Sequence, residues 1–149
     1  MTLMQQIKQY STPKGSVALW WLGQNGYILK SPEGTLAGVD LYLTNSCAAA
    51  FPDVNLDRQV PVLIEPEELE LDIFACTHNH MDHTDPETIS RLRNKDTFRF
   101  LGPAPSCGVY RGQHVEDARI TTTYPDFQGE FADPKVTGTF AMPTDDSDL

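Results

Sequence analysis

Three of the chain's four histidines and an aspartate fall within THNHMDH, residues 77–83. His78 and His80 are two apart, so on extended backbone both imidazoles project to one side and can share an ion. Asp82 and His83 follow where the chain bends, and can point back towards a second ion. A hydrophobic core has no use for such groups, because buried polar side chains without partners cost free energy. The pattern therefore reads as a metal centre with His78, His80, Asp82 and His83 as ligands. Imidazole with carboxylate suits zinc, manganese or iron. A catalytic ion takes about three protein ligands and keeps a position open for water, so four ligands over two ions are too few and others must come from elsewhere in the fold. The remaining histidine, His114, lies in a glycine-rich stretch, GVYRGQHVEDAR, and is expected to be exposed and not to ligate. No organic-cofactor motif is present.

The elements that must position this cluster follow from the flanking pattern. LDIFAC (71–76) is a short apolar run bounded by acids and by the histidines, which predicts a buried strand. TDPETISRLRNK (84–95) predicts a helix: Thr84 or Asp85 can cap it, Pro86 suits its first turn, Glu87 fits a capping box if Thr84 is the cap, and Ile89 and Leu92 share a face. A strand end is rigid and the loop to the helix is short, so the cluster would lose little entropy on binding an ion. Upstream, a polar helical leader precedes three strands over 17–23, 26–31 and 35–43, punctuated by GQNG and SPEG. Residues 48–70, with Pro52, Pro61 and Pro66, read as irregular connection. Further strands are expected over 97–103, 119–124 and 135–143. Strands, then strand–helix–strand, imply an α/β or α+β layered arrangement.

Composition narrows the classes. The net charge of −10 argues against nucleic acid and anionic membranes, since phosphate binding needs clustered Lys and Arg. No apolar run of about 18 residues occurs, and the expected location is the cytoplasm. Cys47, Cys76 and Cys107 are odd in number and lack CxxC spacing, which predicts free thiols. Asp145, Asp146 and Asp148 form an acidic run expected to face water, with a ligand role as the alternative. Lys14, Lys30, Arg91, Arg93, Lys95, Arg99 and Arg111 are available to a phosphate, but no spacing singles one out, and most read as surface charges.

The HxHxDH arrangement of His78, His80, Asp82 and His83 resembles the signature of the metallo-β-lactamase superfamily. WWLGQNGYILKSPEGTLAGVD resembles the opening strands of that fold, and Asp40 matches the aspartate carried behind its metals. Within the superfamily the chain is most similar to the L-ascorbate-6-phosphate lactonase branch, in WWLG, THxHxDH and FLGP. The resemblance implies an αββα sandwich of two similar halves. Because the second-half ligands, a bridging aspartate and at least one histidine, have no counterpart, residues 1–149 read as one truncated, N-terminal half-domain. It further implies manganese or zinc, a hydroxide held between two ions that attacks a lactone carbonyl, Asp82 as a proton acceptor or donor for the leaving alkoxide, and Asp40 orienting a ligating imidazole.

The expected function is thus a metal-dependent hydrolase acting on a small molecule such as a phosphorylated sugar lactone. The alternatives are a phosphodiesterase on the same centre, or an inactive half-domain that binds metal weakly. Half a sandwich would leave an apolar sheet face bare, so self-association or a homo-oligomer is expected.

Overall fold

A computed structural model describes residues 1–140. The leader forms α1 (Leu3–Gln9), started by a capping box in which Thr2 and Gln5 each hold the other's backbone N–H. Then β1 (Ala18–Trp21), β2 (Tyr27–Lys30) and β3 (Leu36–Val39) pair antiparallel, as the turn signals predict. The chain next makes α2 (Ser46–Ala50) and a 3-10 turn at Pro66–Glu68, where the sequence reads as irregular. β4 (Ile73–Ala75), α3 (Pro86–Arg91), β5 (Arg99–Gly102), α4 (Ala104–Gly112) and β6 (Ile120–Thr122) complete the main sheet. A hairpin of β7 (Gln128–Glu130) and β8 (Lys135–Thr137) follows.

The main sheet runs β1-β2-β3-β4-β5-β6, antiparallel up to β3 and parallel from β3 to β6. This is the mixed α/β layering expected. Register places Trp20, Ile28, Gly38, Phe74, Phe100 and Ile120 in one row across a single face. The core sits on that side, where Met4 and Ile7 of α1, Ile89 of α3, and Cys107 and Tyr110 of α4 join Ile28, Phe74 and Phe100 in one cluster. Gly38 is needed in that row: a Cβ there would meet Leu41 and Leu71 Cδ1 atoms at 2.5 and 2.7 Å. Tyr110 packs on Phe100 and Phe74, with ring centroids 5.2 and 6.3 Å away, and its hydroxyl donates to the Leu101 carbonyl at 2.8 Å.

The opposite face carries Ala37, Val39, Ile73, Ala75 and Leu101, and these line a cavity of about 360 Å³ with Val136 and Thr137 of the hairpin. Lys30 lies on the helix side. Its ammonium is buried and donates to the carbonyls of Ile7, Lys8 and Tyr10 at 3.0, 2.6 and 2.8 Å, closing the C-terminal end of α1. It is not the surface charge that the sequence suggested.

Several expectations need correction, the first being the helix expected over 84–95, which is confined to Pro86–Arg91 because Leu92 leaves helical backbone at ψ 128°. The third strand ends at Val39 because Asp40 turns into left-handed backbone at φ 49°, after which Leu41, Tyr42 and Leu43 are buried as loop. Residues 108–112 belong to α4 and not to a glycine-rich loop: burial of Ser106, Cys107 and Tyr110 on one helical face overrides the weak propensity of Gly108 and Gly112. The hairpin strand over Gln128–Glu130 has no counterpart in the sequence reading, and β8 is shorter than 135–143, whose last residues lie outside the described ones. Asp145, Asp146 and Asp148 also lie outside the described residues. Among the described residues no helix is long and apolar enough to cross a membrane.

Candidate metal centre

The histidines leave the C-terminal end of β4, and a tight turn folds them together. The backbone N–H groups of His83 and Thr84 both donate to the His80 carbonyl, at 2.9 and 2.8 Å. Two side chains fasten the turn from beneath: the Cys76 thiol donates to the His83 carbonyl at 3.1 Å, and the Thr84 hydroxyl donates to the His78 carbonyl. Burial pushes the Cys76 thiol up to about 12, which keeps it the donor in that bond. All three cysteines are free and buried, as expected.

The result gathers three imidazoles. His78 is central, its ring centroid 4.5 Å from His80 and 4.0 Å from His83. The Thr77 hydroxyl lies 3.0 Å from His78 Nδ1, which leaves Nε2 as the free nitrogen. Burial lowers the pKa of His78, and the neighbouring His83 and His80 rings lower it further. A neutral ring is the form that ligates. His114 is exposed, in left-handed backbone after α4, as expected of a residue outside the cluster.

Asp40 stands behind His83. Its Oδ1 accepts the Thr77 N–H at 2.7 Å, and its Oδ2 accepts the Thr77 hydroxyl at 2.8 Å. The same Oδ2 lies 3.0 Å from His83 Nδ1, off the ring N–H axis, so Nδ1 is buried beside a carboxylate without an aligned hydrogen bond. Burial pushes the His83 pKa down, but Asp40 and then Asp82 outweigh it and the net shift is upward. His83 Nε2 faces the other way, 3.7 Å from Asp82 Oδ2 and 3.1 Å from Asn25 Nδ2. Sequence reasoning missed Thr77 and Asn25. The THNH run held Thr77 in plain view, but only the left-handed turn at Asp40 reveals its use; Asn25 sits in the GQNG turn with no local signal.

The donor chemistry fits a divalent ion. Two ligands about 2.1 Å from one ion at a tetrahedral angle stand about 3.4 Å apart, close to the separation of His83 Nε2 and Asp82 Oδ2. The fit stops at pairs: among the described residues no three His, Cys, Asp or Glu side chains form a group that could hold a metal.

No protein-family model matches the chain. It is similar to proteins named "Probable L-ascorbate-6-phosphate lactonase UlaG" from Salmonella heidelberg, Salmonella paratyphi B and Salmonella newport. Each is 26% identical over 143 aligned residues, covering 83% of this chain. The chain spans 40% of the length of these curated relatives. The similarity accords with the expected resemblance to that lactonase branch.

Proposed function

We propose that this chain carries the metal-binding strand end of a hydrolase that opens a lactone. One observation carries the reading: His78, His80 and His83 gather at the end of β4, with Asp82 on one side of His83 and Asp40 on the other, in a chain similar to lactonases. We assign His78 and His80 to one divalent ion, and Asp82 and His83 to a second, with manganese or zinc as the metal and iron compatible with the same ligands. When bound, such ions supply Lewis acidity and lower the pKa of water towards about 7.

The chain's own residues then have separate tasks. Thr77 fixes the His78 ring through Nδ1, and the Asp40 carboxylate, 3.0 Å from His83 Nδ1, supports that ring electrostatically. Asp82 is half-exposed and able to reach substrate, so its carboxylate takes the proton of the attacking water. As the acyl C–O bond of the ring breaks, that proton passes to the departing alkoxide oxygen. The three free thiols suit the cytoplasm, which keeps cysteines reduced.

A second reading has support in the pairwise arrangement of donors. In it the chain is a half-site that binds metal weakly until further ligands arrive from a longer protein or a second copy.

Metal analysis separates these readings from no site at all. Purified protein is expected to carry manganese or zinc, and His80→Ala, at an exposed position, is expected to lose most of it with its circular dichroism unchanged. Equal metal content in the two proteins would refute the ligand assignment. Lactone hydrolysis by the wild type, absent in the variant, favours the enzyme over the weak half-site.

A further inference from the structure

A cleft of about 520 Å³ opens beside the histidines, with His80 and Asp82 on its wall. That volume is ordinary for a small-molecule site. We propose that this cleft receives the uncharged, partly apolar body of a lactone or ester and discriminates against a phosphorylated one. The inference rests on the hydrolase reading above and adds the substrate class.

The lining makes the case. Tyr42, Cys47, Phe51, Leu56 and Met81 supply an apolar and aromatic surface, and Phe51 is 53% exposed. The carboxamides of Gln24, Asn55 and Gln59 offer neutral donors and acceptors of the kind a carbonyl or hydroxyl uses. The charged groups on the wall, apart from the histidine, are Asp57 and Asp82, both carboxylates. No Lys or Arg lines the cleft among the described residues. With the ions of the hydrolase reading engaged by the reacting carbonyl, a phosphate on the body of the substrate would lie beside Asp57 with no side-chain cation to receive it.

Arg58, next in the chain to Asp57 of the wall, is committed elsewhere. Arg58 turns its guanidinium behind Tyr42, at 5.3 Å from that ring, and donates to the carbonyls of Leu22, Tyr42 and Val60. Of the side chains that sequence alone made available to a phosphate, Lys30 closes α1, Arg91 holds Glu65 and Glu67, and Lys95, Arg99 and Arg111 bond Gln113, Ala118 and Asp117. The interior groups are neutral too. Burial pushes Tyr42 up to about 12, and burial followed by the charges of Asp82 and Asp85 pushes the Cys47 thiol up. The relatives' name specifies a phosphorylated lactone, so this cleft departs from what the similarity alone would suggest.

A matched pair of probes tests the inference on the full chain: a neutral methoxycoumarin, and the same ring system carrying a phosphate monoester, with binding measured by equilibrium dialysis and ligand-observed NMR. The neutral ring is expected to bind saturably and at least about ten-fold tighter, a difference of about 1.4 kcal/mol. Phe51→Ala is expected to weaken it several-fold, and Gln59→Lys, which adds a cation at an exposed position, to narrow the gap. Equal or tighter binding of the phosphate form, no saturable binding of either, or indifference to Phe51→Ala would overturn the proposal. Selective binding by a protein that holds no metal and turns over no lactone would instead sink the hydrolase reading, leaving the cleft as a site for neutral ligands.

Discussion

Asp40 occupies left-handed backbone, and its two carboxylate oxygens hold Thr77 while facing His83. Aspartate and asparagine tolerate that conformation better than other side chains with a Cβ, so Asp40→Asn isolates the carboxylate's charge from the backbone's needs. Asp40→Asn is expected to leave the fold intact and to weaken zinc or manganese binding by about 10–100-fold, as removal of such a supporting carboxylate does. Competition with a chelating dye reads the affinity, and unchanged binding would show that Asp40 serves the turn alone. At this scale the histidine motif was legible because its signal is local: ligand-type residues at fixed spacing after an apolar run. Thr77 and Asn25 were not, because their contacts depend on two turns more than thirty residues apart in the chain.

Among the elements, α3 shows how a loop is tied to a helix. Asp85 caps it by accepting the N–H groups of Glu87 and Thr88, and it also accepts the hydroxyls of Thr44, Ser46 and Thr88. This fixes the segment after Asp40 against the helix that follows the histidines. Asp85→Ala strands several buried hydroxyls and is expected to destabilise the protein by at least about 2 kcal/mol in urea unfolding. Destabilisation within error of zero would mean that water replaces the carboxylate. The sequence offered Thr84 and Asp85 as caps without a choice between them. Thr84 is withdrawn from the role by its bonds to His78 and Ser106, a tertiary fact no local pattern carries. The far end of α3 is held by Arg91, which bonds Glu67 and lowers its pKa below 4.5. Since the folded state favours ionised Glu67, its contribution is present above the unfolded pKa and fades as pH falls through the folded one. Glu67→Gln should thus lower the melting temperature slightly at pH 7, and the gap to wild type should close on acidification below about 4.5; a gap that persists in acid would exclude the ion pair as its cause.

For the molecule as a whole, the question is what meets the sheet beyond its helices. The edge strand β1 leaves Leu19 and Trp21 more than half exposed, and Val17 just before it is likewise bare. Such edges invite pairing with another strand. Light scattering on the eluting protein is therefore expected to show self-association, reduced by Leu19→Lys; a monomer at all accessible concentrations would refute it. The layering of this sheet was readable from alternating strand and helix signals. The partial cover of its second face by the β7–β8 hairpin was not, because strands of three residues with Gly129 at the centre carry almost no periodicity.

The ammonium of Lys30 has one further consequence. Its three carbonyl partners all lie within residues 7–10, so trimming that leader would take all of them from the ammonium and uncover the core that Met4 and Ile7 close. Shortened versions that begin at the first strand should be hard to produce in soluble form, while amine-reactive labels on the intact protein should bypass this lysine until the amino-terminal segment peels away.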